Sequence, residues 1–155
     1  FSQDLLRLEN APEHRVLWHG VWRQPMQGSS QAPAILLIGG ERYAAHNELE
    51  GSIRFSDNNG RVNMDVQLWL SKFAVTRRVR TESAWVLPEQ PASFVTEAAG
   101  TAGNWSVLEV WQLKESKELR TTDFYYLDNP AFGVLLQLRS YELPVKSSGT
   151  SEEDF

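Results

Sequence analysis

Asn59-Gly60 constrains this chain more than any other feature, because apolar and polar residues alternate on both sides of it. Upstream, Leu49, Gly51, Ile53 and Phe55 alternate with Glu50, Ser52 and Arg54. Downstream, Val62, Met64, Val66, Leu68 and Leu70 alternate with Arg61, Asn63, Asp65, Gln67 and Trp69. A period of two marks a strand with one buried face, and a type I′ turn needs positive φ at both central residues, which Asn-Gly tolerates well. Centring the turn there predicts Phe55 opposite Met64, Ile53 opposite Val66, Gly51 opposite Leu68 and Leu49 opposite Leu70. On the other face Arg54 then meets Asp65, and Glu50 meets Trp69. A slip of one residue would set polar against apolar at every rung, so the pairing is well specified. Burying the apolar side chains of the second strand contributes about 7 to 15 kcal/mol gross. An Arg54–Asp65 pair adds only about 0.2 to 1 kcal/mol. The apolar face anchors the hairpin.

The rest of the chain reads as further strands. Val16, Leu17, Trp18, His19, Gly20, Val21 and Trp22 alternate between Arg15 and Arg23, with Val16, Trp18 and Trp22 on the side that looks like core. Ala34 to Ile38 is apolar throughout, as in a strand covered on both faces. Trp105–Leu113 and Leu119–Leu127 flank Lys114-Glu115-Ser116-Lys117-Glu118, which predicts a second hairpin. Asp128-Asn129-Pro130 is a turn signal, and Phe132–Leu143 reads as another strand. Ser2 is placed to cap a short helix over Gln3–Glu9 that Asn10-Ala11-Pro12 stops. Thr76–Asn104, with Pro88, Pro91, Gly100 and Gly103, reads as a long loop carrying one or two short strands. Seven or more strands at hairpin spacing predict a mainly β fold: an antiparallel, hairpin-rich sheet curled toward a barrel or sandwich, with one short N-terminal helix. Residues 1–144 form a single domain in this reading, and 145–155 a disordered acidic tail.

Composition removes several classes of function. The chain's 155 residues fit one domain, and 41% apolar with 23% charged residues argues against disorder. The longest apolar run, Ala34–Ile38, falls far short of the roughly 20 residues of a spanning helix. Fifteen Lys and Arg against 20 Asp and Glu give a net charge of −5, which argues against nucleic acid as a partner. Cysteine is absent, so disulfides, thiol nucleophiles and cysteine metal clusters are excluded. His14, His19 and His46 lack the spacing for a shared metal, and Gly39-Gly40 lacks the Lys-Ser/Thr pair and the helix of a phosphate loop. No catalytic set and no cofactor is expected. The chain begins at Phe1 without a basic segment leading into an apolar one, and reads as a trimmed piece.

Candidate contact residues come from the polar face of the hairpin. Trp69 shares that face with Arg54, Asp65 and Glu50. An indole among polar groups stacks on a sugar ring or a partner's side chain while its neighbours hydrogen-bond the rim; alternatively, the Thr76–Asn104 loop covers it. Lys72, Arg77, Arg78 and Arg80 form a basic patch suited to carboxylates or phosphates, or else a solvated strand end. Glu50 and Asp65 also offer the carboxylate pair that a glycosidase requires. A third alternative is a lipocalin-like carrier with an apolar ligand inside the barrel.

Three strings together resemble the CsiV family. They are Val16-Leu17-Trp18-His19-Gly20-Val21-Trp22-Arg23-Gln24-Pro25; Glu48-Leu49-Glu50-Gly51 leading into Asp65-Val66-Gln67-Leu68-Trp69-Leu70; and Leu119-Arg120 followed by Tyr126-Leu127-Asp128-Asn129-Pro130-Ala131-Phe132-Gly133-Val134-Leu135. The likeness runs from about Leu5 to Leu143. It implies a periplasmic, non-enzymatic peptidoglycan-binding protein that supports wall synthesis by a bifunctional penicillin-binding protein through its lipoprotein activator. The resemblance brings no binding residues with it, so Trp69, Arg54, Asp65, Glu50, Arg77 and Arg78 stand on the face argument and the basic patch alone.

Overall fold

The computed structural model describes residues 12–75, 87–88 and 104–142. The strands are β1 (Ala34–Tyr43), β2 (His46–Asn58), β3 (Arg61–Val75), β4 (Trp105–Leu119), β5 (Phe124–Asn129) and β6 (Phe132–Gln137). β1 to β4 make one antiparallel sheet in sequential order, and β5 with β6 makes a separate two-stranded ribbon. The described residues contain no helix and the sheet does not close into a barrel. The expected N-terminal helix, most of Thr76–Asn104 and the acidic tail lie outside the described residues.

The β2–β3 hairpin has the predicted register at every rung, from Leu49–Leu70 to Phe55–Met64. Asn59 and Gly60 adopt φ of 56° and 82°, as a type I′ turn requires, and the Gly60 N–H donates to Asp57 Oδ1 at 2.9 Å. Gly51 has φ of 140°, and a Cβ there would meet the Gln67 carbonyl oxygen and stand 2.8 Å from Leu68 Cα. β3 thus passes directly against a position that only glycine can occupy.

One face of the sheet carries the core. Leu37, Leu49, Ile53, Phe55, Met64, Val66, Leu68, Leu113 and Leu119 are buried on it together with Leu127 from the ribbon. Tyr125, Phe132, Val134 and Leu136 turn inward from β5 and β6 to join them, while Phe124, Tyr126 and Leu135 face out. Period two therefore folds the ribbon onto the sheet as a second, narrower layer.

Several expected elements differ. Lys114–Glu118 is not a turn but part of the last third of β4, paired to β3 from Lys114–Gln67 to Glu118–Asn63. Its charges find partners along the strand: Arg61 bonds both oxygens of Glu118 at 3.2 Å, and the Lys117 ammonium stands 5.8 Å over the Tyr125 ring. The chain reverses instead at Arg120–Asp123, where the Arg120 N–H donates to the Tyr125 hydroxyl. Arg15–Arg23 is an extended strap rather than a sheet strand. It touches the β1 bulge through the Gly40 N–H and the Leu17 carbonyl, then lays Trp22 against Phe55. Trp22 joins the core edge, but Trp18 is exposed and meets Trp22 edge-on. β1 is covered on one face only: Leu37 is buried and Ile38 exposed. The strand expected over Phe132–Leu143 stops at Gln137.

Candidate functional site

The polar face of the hairpin is not an open docking surface. Trp69 is only 1% exposed, so the expectation of an accessible indole is corrected, and its Nε1 has no hydrogen-bond partner. Burying so large a ring releases enough apolar surface to outweigh polar company on its face. Glu50 is buried as well, accepting from the Asn47 N–H at 2.7 Å and lying 3.3 Å from His46 Nδ1. Arg54 and Asp65 face each other in register but form no ion pair; Asp65 accepts from Ser116 Oγ at 2.6 Å, and the buried Arg54 Nε has no partner. Arg77 and Arg78 lie outside the described residues.

The same geometry weighs against Glu50 and Asp65 as a glycosidase pair. Glu50 sits opposite Trp69, four residues along β3 from Asp65, which is about 13 Å of strand. An inverting pair needs roughly 6.5 to 9.5 Å, and a retaining pair less.

What the structure offers instead is a fork in the sheet. The β2–β3 ladder ends at Leu49–Leu70, yet β2 starts three residues earlier at His46 and β3 runs on to Val75. β1 stays paired to β2 as far as Tyr43–His46, and β4 to β3 as far as Trp105–Val75. Two bulges accompany the split, one between Gly39 and Arg42 and the other at Lys72/Phe73. Bulges add local twist, and twist in opposite arms parts their inner edges. The gap is a cavity of about 290 Å³ lined by Tyr43, Glu48, Leu70, Ser71, Lys72, Phe73 and Trp111.

Aromatic rings bridge the fork. Tyr43 stacks on Phe73 with centroids 4.8 Å apart, and Trp105 meets Tyr43 edge-on at 5.0 Å. His46 stacks on Phe73 from the other strand at 6.3 Å. Such pairs each contribute about 0.5 to 1.5 kcal/mol beyond area, so they hold the arms where no ladder does. Trp105 remains exposed at the rim.

Charge at the fork is arranged in pairs. Arg15 Nη2 donates to both Glu48 oxygens at 2.9 Å, and the Glu41 N–H donates to Glu48 Oε2 at 2.8 Å. Partial burial alone would push the Glu48 carboxyl up, but these donors outweigh it and hold it below the ordinary 4.5. The Tyr43 hydroxyl donates to Glu41 at 2.7 Å, which raises the phenol above its usual range. Lys72 reaches Glu109 only at 3.8 Å, with both side chains half exposed or more. Ser71 is 3% exposed, and its hydroxyl has no partner.

A second feature stands on the outer face of the ribbon. Tyr126 is 62% exposed, yet its ring is held in place: it lies against Gly133, where a Cβ would stand 2.6 Å from the ring, and its hydroxyl donates to Asp128 Oδ1 at 3.0 Å. The result is a fixed aromatic shelf with a carboxylate at its edge. Asn129 ties the ribbon's turn to β4 by donating from Nδ2 to the Gln112 carbonyl at 3.0 Å, one residue from Trp111 in the fork. Tyr126 was not among the candidates, although the sequence carried a signal: a tyrosine two residues before an Asp, on the fourth rung from a turn and diagonally across from a strand glycine.

Among the described residues no group of His, Asp and Glu is placed to hold a metal ion. No helix of the described residues is long and apolar enough to cross a membrane. The cavity is an open gap at a sheet end with charged walls rather than an apolar barrel interior, and offers no support for a lipocalin-like carrier.

A family model described as peptidoglycan-binding protein, CsiV, matches residues 1–141, and the chain belongs to that family. No curated protein and no solved structure matches it.

Proposed function

We propose that this CsiV family member is a non-enzymatic, periplasmic peptidoglycan-binding protein that presents the Tyr126 shelf and the fork to the wall polymer. The family match over residues 1–141 is the observation that carries this reading. Sugars expose C–H faces that pack on aromatic rings, and a ring already held in place loses little freedom on binding. Tyr126 against Gly133 meets both requirements, and Asp128 Oδ2 stands ready to accept a sugar hydroxyl. A carboxylate beside the shelf favours the uncharged glycan over an acidic peptide.

Affinity for one repeat unit is modest in this arrangement, and the polymer supplies many units, so avidity does the rest. In the cell the bound protein supports wall synthesis by a bifunctional penicillin-binding protein through its lipoprotein activator; the family likeness supports this role. Co-sedimentation with purified sacculi tests the binding. The wild-type chain is expected in the pellet, with Tyr126→Ala reducing the bound fraction. A wild-type chain that stays in the supernatant would refute the proposal. Release of soluble muropeptides from those sacculi would refute its non-enzymatic part.

A further inference from the structure

We infer that the fork between β2 and β3 receives the peptide arm of peptidoglycan, seating a carboxylate-bearing residue in extended conformation against β3. This rests on the peptidoglycan reading above and assigns the fork a ligand distinct from the glycan on Tyr126.

The first support is the backbone. Among the described residues β3 continues from Ser71 to Val75 without a ladder on its β2 side, which leaves a strand edge facing the cavity. Free strand edges bind extended peptides through main-chain hydrogen bonds, and sugars cannot reproduce that alternating donor–acceptor row.

The second support is Ser71. Its side chain lines the gap, is buried, and makes no hydrogen bond. Buried polar groups are nearly always satisfied, so an unpaired hydroxyl at a cavity wall is a place where ligand atoms belong. A peptide amide or carbonyl supplies the missing partner.

Charge gives the third. Glu48 is already engaged by Arg15 and the Glu41 N–H, so its charge is balanced within the wall. Among the described wall residues Lys72 is the cation with capacity to spare: Glu109 holds it at 3.8 Å, at the limit of an ion pair, and both are well exposed. An incoming carboxylate competes easily for that ammonium. Wall peptides carry free carboxylates. The cavity, about 290 Å³, lies at the lower end of small-ligand sites and suits one residue of a peptide rather than a run of sugars.

The test separates the two parts of the polymer. Amidase digestion of sacculi yields soluble stem peptides and peptide-free glycan strands; the lactyl carboxylates freed on the strands are capped as methyl amides to keep the glycan uncharged, and binding of each to the full chain is measured by tryptophan fluorescence titration. Wild type is expected to bind both. Lys72→Glu should weaken stem-peptide binding by about tenfold or more and leave glycan-strand binding unchanged. Ser71→Ala should weaken peptide binding severalfold. Raising salt from about 50 to about 300 mM should weaken the peptide arm selectively. Lys72→Ala serves as a second variant if the charge reversal perturbs folding. The inference is overturned if wild type binds glycan strands but no stem peptide, or if both Lys72 variants bind the peptide as wild type does. If wild type binds neither intact sacculi nor either fragment, the peptidoglycan reading itself falls.

Discussion

Replacing Gly51 by alanine tests the close approach on which the sheet's centre depends. Two costs add at this position. Its φ of 140° is a region that L-residues avoid, which costs about 1 to 3 kcal/mol. The new Cβ also meets the Gln67 carbonyl and lies 2.8 Å from Leu68 Cα, backbone atoms that move only if β3 moves. Overpacking of that kind costs about 1 to 3 kcal/mol more. Gly60→Ala is the control, since Gly60 has φ of 82° and nothing within 4 Å of an added Cβ. Only the conformational penalty of about 1 to 2 kcal/mol applies there. Urea unfolding of the three proteins, followed by far-ultraviolet circular dichroism and by tryptophan fluorescence, should put Gly51→Ala about 2 kcal/mol below Gly60→Ala. With a typical urea m-value of about 1 to 3 kcal/mol/M, that difference moves the midpoint by roughly 1 M. Equal midpoints for the two variants would refute the steric argument, because they share a positive φ and differ in what stands across the strand.

Three further outcomes follow from contacts described above. Leu127→Ala should destabilise the fold by about 2 to 5 kcal/mol, because this 1%-exposed side chain joins the ribbon to the sheet core; a loss under about 1 kcal/mol in chemical denaturation would mean that the ribbon is not part of that core. The Glu48 carboxyl is held below its usual value, so its contribution is present above pH 4.5 and is lost as pH falls through the lower folded-state value. Glu48→Gln should therefore flatten the acid limb of a thermal-unfolding series between about pH 3 and 6, and an unchanged limb would contradict the assignment. Arg61→Ala should cost less than about 1 kcal/mol, since the Arg61–Glu118 pair is exposed on both sides; a larger drop in melting free energy would show that β4 leans on it more than exposed pairs allow.

How much of this was legible in the sequence depends on how local each signal is. The β2–β3 register was readable because turn chemistry at Asn59-Gly60 and period two on both sides concern neighbouring residues only. Period two also placed Trp69 with Asp65 and Gln67, and the structure keeps it on that face, but alternation cannot say whether a second face is covered. Lys114–Glu118 imitated a turn because charged residues favour loops, whereas a long β3 supplied cross-strand partners for them. The fork was invisible, since alternation runs on through Leu70 and Ser71 while the pairing stops there. Tyr126 went unnoticed because Phe124 to Leu127 is apolar at every position, which hides the inward and outward sets.

The end of the β2–β3 ladder also sets a pattern for amide hydrogen exchange. In antiparallel strands successive N–H groups point alternately to the two neighbours. From Val62 to Leu70 both neighbours are present, so deuterium uptake should be slow at every amide of that stretch. Beyond Leu70 only the β4 side remains laddered among the described residues, and every second amide lacks a carbonyl partner there. Protection along one strand should therefore change from uniform to comb-like, slow and fast in alternation, at a boundary one peptide bond wide. A ligand seated there would fill in the gaps in the comb and leave its teeth where they were.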